Sequence, residues 1–311
     1  MNPEDPTARR IWMQKATAYL PEPVSIARVG WKKFLEDWDF ELLEITRAIL
    51  LWEGKMVTPL DEELAAYEER TGVHLPRELH RGRIPYPGNT PEGRRLAMQA
   101  AELLTQFYRE DFASMKRRRP DTLVDIFSWG DIIRNSSSGR PPATDEQIRA
   151  AEQRLGATLP PSYKEFLRLT NGWVLGDIYL TWVDRIDYLR NTEYQEWMVD
   201  MAGEFVPDDP VPDERYFNYS ASQDPLTDMR REYIPGALVI CGEFSDVRGI
   251  VMLNPAVVDE HGEWEAWLSK GMYDGFRRYR NFAQLMESLY LREIAENRLY
   301  ADEIGANWHF R

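Results

Sequence analysis

The stretch that decides the fold of the second half of the chain is TDEQIRAAEQRLGATLPPSYKEFLRLTNGW, residues 144–173. It opens with Thr144 and has Gln147 three residues later, a spacing that predicts a capping box at the start of a helix. The apolar face of this helix consists of Ile148, Ala151 and Leu155. Gly156 follows, and glycine readily adopts the left-handed conformation that ends many helices.

Two prolines then predict the start of a second helix. Leu159 precedes Pro160 and Pro161, and proline fits the first turn because no backbone N–H is needed there. The buried stripe of this helix consists of Tyr163, Phe166 and Leu167. Asn171 and Gly172 favour a chain reversal after it. The segment therefore predicts two short helices joined by a rigid proline turn and followed by β structure.

The order of these residues resembles the signature of the SUKH superfamily, which includes the yeast cell-wall-synthesis regulator and many bacterial immunity proteins. The matching residues are Glu152, Leu155, Gly156, Leu159, Pro160, Tyr163, Phe166, Leu167, Asn171 and Gly172. The similarity continues through strand-like runs at 178–183, 237–244, 249–254 and 264–268 and a closing helix from Asn281. The resemblance implies an α+β domain, with helices packed on a mainly antiparallel sheet, that binds other proteins without catalysis.

The chain of 311 residues exceeds a typical single domain, so we expect two parts. Helical spacing predicts an amphipathic helix through Trp31, Phe34, Leu35, Trp38, Leu42, Ile45 and Ile49. A second candidate helix runs from about Pro91 to Met115, and the Ser- and Gly-rich stretch at 135–142 suits a connector. We therefore predict a mostly α-helical N-terminal region at 1–134 and the SUKH-like domain at 135–311.

A shorter internal similarity links the two parts. Residues 61–79 align without a gap to residues 145–163, with 8 of 19 positions identical and Gly72 opposite Gly156. A truncated copy of the helical hairpin and convergent capping chemistry both fit this pattern.

Composition indicates an ordinary globular protein, with 43% hydrophobic and 29% charged residues. Cys241 is the single cysteine, so no internal disulfide can form. The start of the chain lacks the apolar core of a secretory signal. The apolar stretch at 48–52 is far shorter than the roughly 20 residues that cross a bilayer. We therefore expect a cytoplasmic protein.

The formal net charge of −14 argues against nucleic acid or an anionic membrane as the direct partner. Residues 177–265 hold 20 acidic and 6 basic residues, which equals the whole net charge. A concentrated negative field of this kind steers a basic partner to its binding surface. A solvated acidic face that aids solubility fits the same pattern equally well.

The long segment at 187–233 is our preferred partner-contact region, because loops of such length usually have a function or are disordered. Aromatic residues lie among its acids and can supply anchors in a protein interface. The predicted partner-binding residues are Asp177, Asp184, Asp187, Tyr188, Glu193 and Trp197. For Trp197 and Phe217 a place in the core is favoured, since aromatic side chains are usually largely buried.

Catalytic patterns are nearly absent from the sequence. Its histidines, His74, His80, His261 and His309, lack the spacing of metal ligands. Cys241 lies in an apolar run, where an inert buried thiol is expected, and no phosphate loop or nucleophile elbow occurs. We therefore expect no catalytic residue, metal or cofactor, although an enzyme site in the acidic loop stays a minor alternative.

The resemblance and the charge together predict an immunity protein that binds a cognate protein toxin and occludes its active surface. A basic, nuclease-like toxin would complement the acidic segment. The alternative is a non-catalytic intracellular scaffold that brings signalling partners together.

Overall fold

The computed structural model of the chain describes residues 11, 14–42, 45, 68–69, 72, 139–175, 178–192, 195, 198, 211–220, 222–241, 250–269 and 275–303. The chain divides into two compact units. One of them, here called the C-terminal unit, consists of Pro23–Phe34 and Gly139–Tyr290, and the rest of the chain belongs to the other.

The described N-terminal residues contain a short helix, α1 (Ile26–Val29), and a longer helix, α2, over residues 31–42. The buried face of the longer helix consists of Trp31, Phe34, Leu35, Trp38 and Leu42. These five residues have the spacing of the predicted amphipathic helix. Ile49, the candidate helix at 91–115 and most of the predicted helical region at 1–134 lie outside the described residues.

The proline-linked helices form as the sequence predicts. Helix α3 (Asp145–Leu155) begins with the capping box, in which the Gln147 N–H donates to Thr144 Oγ1 at 3.2 Å and the Thr144 N–H donates to Gln147 Oε1 at 2.8 Å. Gly156 ends the helix in the left-handed conformation, with φ of 66°. Helix α4 (Pro161–Leu169) starts at the second proline.

Gly72 and Gly156, which are aligned in the internal similarity, end their helices with the same local geometry. Gly72 has φ of 68°, and its N–H donates to the carbonyl oxygen of Glu68. In the second copy, the Gly156 N–H donates to the carbonyl oxygen of Glu152. The two aligned helix ends are therefore equivalent, while most of the first copy lies outside the described residues.

The strands form two antiparallel sheets. A hairpin pairs β1 (Trp173–Leu175) with β2 (Ile178–Leu180). The larger sheet has its strands in sequential order: β3 (Asp187–Tyr188), β4 (Leu238–Val239), β5 (Ile250–Val258), β6 (Trp264–Ser269) and β7 (Arg277–Tyr279). The two longest strands, β5 and β6, form its centre. This arrangement confirms the predicted α+β class with a mainly antiparallel sheet.

Helical turns and a long helix complete the described elements. A short helix, α5 (Asp213–Tyr216), and two 3₁₀ turns (Leu189–Asn191 and Arg231–Gly236) lie between β3 and β4. Helix α6 (Phe282–Glu303) follows β7. Within the described part of the chain, no helix combines the length and apolar character required to cross a lipid bilayer.

An aromatic cluster forms one core of the C-terminal unit. Phe282 at the start of α6 lies 5.2 Å from Phe166 and 5.0 Å from Tyr163, measured between ring centroids. Trp31 stacks on Phe282 at 5.5 Å and also contacts Phe166. The Ile26 N–H donates to the Glu287 carboxylate at 2.5 Å. The early segment 23–34 is therefore part of the same core as the proline-linked helices.

Candidate partner-binding surface

The segment after β2 is fixed to the two proline-linked helices. The Asn171 side-chain oxygen, at the end of α4, accepts a hydrogen bond from the Val183 N–H at 2.8 Å. The Arg154 guanidinium, on α3, donates to the carbonyl oxygens of Ile186 at 2.9 Å and Val183 at 3.4 Å. Because these bonds come from α3 and from the residue that follows the C-cap of α4, the backbone of the segment 181–186 is anchored at Val183 and Ile186. Its outward side chains are candidates for a pre-organised binding surface.

Asp184 and Asp187, both predicted to contact the partner, are accessible on this segment. Asp184 is exposed. Asp187 is partly exposed, and its Oδ1 accepts hydrogen bonds from the Tyr188 N–H at 2.7 Å and the Asn191 side-chain amide at 2.9 Å. Its Oδ2 lies 4.0 Å from Arg154. Asp184 is thus free for a partner, whereas Asp187 also stabilises the start of the 3₁₀ turn.

Tyr188, another predicted contact, is largely internal. It is only 9% exposed, and its hydroxyl donates to the carbonyl oxygen of Leu155 at 3.1 Å. Arg190 lies over its ring at 4.3 Å. The structure therefore brings Asp184, Asp187 and Tyr188 into one short stretch. The other three predicted residues, Asp177, Glu193 and Trp197, lie outside the described residues.

Trp182, the most exposed large aromatic residue on this segment, was not among the predicted contacts. Its side chain is 41% exposed and is flanked by two guanidinium groups, with Arg140 at 5.1 Å and Arg185 at 5.3 Å from the ring centroid. We call these three residues the Arg-Trp-Arg cluster. The run IYLTWV suggests a strand through residue 183, but β2 ends at Leu180. The charged pair Asp184-Arg185, two residues after Trp182, is the sequence signal that could have indicated a surface position.

Gly172 explains how Trp182 keeps this position. The glycine has φ of 115°, and a Cβ there would lie 2.8 Å from the carbonyl oxygen of Leu180 and 3.4 Å from Trp182. The two chain segments approach so closely that any larger residue would force them apart. Glycine at 172 therefore allows the hairpin to present Trp182 at the surface.

The part of the long loop at 211–230 is attached to the large sheet by buried polar contacts. Glu265 on β6 and Arg278 on β7 are both fully buried, with Oε1 and Nη1 3.9 Å apart. Glu265 Oε2 accepts hydrogen bonds from the Tyr216 hydroxyl at 2.5 Å, Trp267 Nε1 at 2.7 Å and Asn254 Nδ2 at 2.9 Å. Burial, followed by the nearby Glu265 carboxylate, raises the pKa of Tyr216.

These buried groups stabilise the fold and are unsuited to catalysis, because complete burial keeps substrates away from them. Phe217 extends outward beside Tyr216 and is 42% exposed, so the expected core position of this aromatic was wrong. Arg230 lies 5.7 Å from its ring centroid. The chain turn at the end of α5 decides this outcome, since it buries Tyr216 and leaves the next residue outside.

Two further observations concern reactive groups. Burial raises the pKa of the Cys241 thiol to about 11, so it is protonated at neutral pH and a poor nucleophile. Among the residues that the structure describes, no three His, Cys, Asp or Glu side chains are grouped as metal ligands.

The comparisons with known proteins agree with the fold. Residues 142–288 match the SMI1 / KNR4 family (SUKH-1). No curated protein and no solved structure matches the chain significantly. The matched range begins just before the capping box and ends within α6, so it contains both proline-linked helices and both sheets. The C-terminal region of this chain is a domain of the SMI1 / KNR4 family (SUKH-1).

Proposed function

We infer that the protein is an immunity protein, which binds a cognate toxin in the cytoplasm and occludes its active surface. Family membership of the C-terminal region supports a role in binding other proteins, since the family is known for toxin-immunity and cell-wall-regulator members. The observation that carries the proposal is the rigidly held segment 181–186, which exposes Trp182 and Asp184 together. Binding by such a surface requires no cofactor.

Charge supports a basic toxin as the partner. The concentration of acidic residues at 177–265 produces a negative field over the domain that carries this surface. Such a field accelerates the approach of a cationic protein and orients it before contact. A nuclease, whose own surface is basic because it binds a polyanion, is the toxin class that fits best.

The experiment combines binding with protection. The product of the gene immediately upstream is purified and titrated into the full chain by calorimetry, and the two genes are co-expressed to measure growth. We expect a tight complex and rescue of growth. Absence of both a complex and protection would refute the proposal. Association with the cell's own signalling proteins instead would favour the regulatory scaffold.

A charge reversal tests whether the surface is the one used. Asp184→Lys should slow association several-fold at low ionic strength, because it reverses an exposed charge beside Trp182. The matched control is Glu260→Lys, which reverses an exposed charge in the turn between β5 and β6. Equal association rates for the wild type and D184K would show that the toxin uses another face.

A further inference from the structure

We propose that the Arg-Trp-Arg cluster is a docking point for a carboxylate group on the partner protein, so that the partner brings an acidic side chain to this otherwise acidic domain. The inference rests on the proposed function only in requiring that the domain binds a protein. It adds a chemical requirement that a purely basic partner surface would not meet.

Within the described part of the chain, no carboxylate pairs with either guanidinium group. The guanidinium groups of Arg140 and Arg185 both lie over the Trp182 ring, at 5.1 and 5.3 Å from its centroid. Among the residues that the structure describes, neither forms an ion pair, although the domain is rich in acids. Exposed Asp184 is adjacent in sequence to Arg185, yet the two are not paired. Two unpaired arginines in an acidic domain are free to bind an incoming anion.

The two cations disfavour each other. Partial burial, followed by the charge of Arg185, lowers the pKa of Arg140. A carboxylate placed between the two groups would offset this repulsion and accept hydrogen bonds from both. Charge-assisted bonds between guanidinium and carboxylate are among the strongest polar contacts of proteins, because the planar fork of arginine matches the two carboxylate oxygens.

Hydrogen bonds pre-organise the backbone of the cluster. The Arg140 N–H donates to Thr170 Oγ1 at 2.7 Å, and that hydroxyl donates to the carbonyl oxygen of Gly172 at 2.5 Å. The Val183 N–H bond to Asn171 fixes the residue after Trp182. Less backbone entropy is therefore lost when a ligand binds, and tryptophan and arginine are among the residue types enriched at interface hot spots.

The test uses the full chain and two peptides, so that it needs no toxin. The indole N–H resonance of Trp182, assigned with Trp182→Phe, is followed by NMR during titration with an acetylated Glu-Gly repeat peptide. A Lys-Gly repeat peptide of equal length is the control. We expect the acidic peptide to shift the Trp182 resonance in a saturable way, and the basic peptide to leave it in place.

Arginine variants identify the groups that bind. The double variant R140Q/R185Q should bind the acidic peptide about tenfold or more weakly, because two charge-assisted contacts are removed. The single variant R185Q changes an exposed side chain, so the fold should be unaffected. It should weaken peptide binding by less than the double variant does. Arg149→Gln, which removes an exposed arginine paired with Glu146 on α3, is the matched control and should bind as the wild type does.

Three results would overturn the proposal: no shift of the Trp182 resonance with the acidic peptide, equal weakening by R149Q and R185Q, or a stronger response to inorganic phosphate than to the peptide. The last result would indicate a phosphate-bearing ligand in place of a protein carboxylate. A toxin that binds and is neutralised while the peptide test fails would leave the proposed function intact. A peptide that binds while no toxin is found would refute only the immunity role.

Discussion

Replacement of Glu265 by glutamine tests the buried charge pair of the large sheet. Glutamine keeps the shape of the side chain and an oxygen that can accept the bonds from Tyr216, Asn254 and Trp267. It places an amide group toward Arg278, which then has no counter-charge. The change therefore removes the charge and little else.

The expected loss of stability follows from the geometry. Two unit charges 3.9 Å apart attract by about 4 kcal/mol at an effective dielectric constant of about 20. Breaking a buried pair by removing one partner generally costs about 3–5 kcal/mol, because the remaining charge stays buried without compensation. We therefore expect E265Q to lower the free energy of unfolding by about 3–5 kcal/mol. That is a large share of the roughly 5–15 kcal/mol available to a domain.

The assay is amide hydrogen exchange of the full chain at increasing urea concentrations, read at Leu253 in β5 and Leu268 in β6. Backbone amides of these strands report the opening of the sheet itself, independently of other parts of the chain. Arg278→Met should also destabilise the sheet. The double variant E265Q/R278M should lose about 2–3 kcal/mol less than the two single losses combined, because it leaves no unpaired charge.

The surface substitution Glu260→Gln is the control and should change the opening free energy by less than about 0.5 kcal/mol. A loss below about 1 kcal/mol in E265Q would refute the pairing, since an uncompensated buried guanidinium must cost more. Additive losses in the double variant would likewise show that the two side chains are not coupled.

Three other predictions concern a cap, a thiol and a carboxyl. Thr144→Ala should lower the opening free energy of α3 by about 1 kcal/mol in hydrogen exchange, and an equal loss in exposed Thr158→Ala would contradict the capping role. Iodoacetamide at about pH 8 should spare Cys241 in the native chain and modify it in urea, since only the thiolate reacts; equally fast native labelling would refute this. Burial raises the pKa of the Glu287 carboxyl above its ordinary 4.5 despite the Ile26 hydrogen bond. The stabilisation by the protonated carboxyl is therefore lost as the pH rises above 4.5 and the group ionises. The melting temperature of Glu287→Gln minus that of the wild type should therefore be larger at about pH 8 than at about pH 5. A difference that does not change with pH would contradict the raised pKa.

The helical part of the domain was predictable because its signals are local. Thr144 and Gln147 form a capping box within one turn, and the left-handed stop needs only Gly156. Strand lengths were less predictable, because pairing partners set them. Among the described residues of the run at 237–244, Leu238–Val239 form a strand of the larger sheet, while the run at 249–254 extends to Val258. How far a strand runs depends on the residues with which it pairs, and a single segment does not carry that information.

The candidate surface was predictable only in outline. The exposure of Asp184 was predictable, since charge is visible in composition and a charged side chain is expected at the surface. Burial of Tyr188 depends on the Leu155 carbonyl oxygen, and exposure of Trp182 depends on Asn171. Glu265, the partner of Arg278, lies on the neighbouring strand β6. All three outcomes require contacts between residues distant in sequence, which side-chain patterns along one strand do not reveal.

The packing of segment 23–34 against helix α6 has a consequence for how the protein is made. Trp31 leaves the ribosome long before Phe282 is synthesised, so its ring has no partner during most of translation. Contacts of such wide sequence separation close late and slow the final step of folding. An expression fragment that starts at residue 142, where the family match begins, would lack the segment 23–34 and leave the aromatic cluster open to water. Sequence similarity thus locates the domain, but the gene fragment needed to produce it in a folded form begins more than a hundred codons earlier.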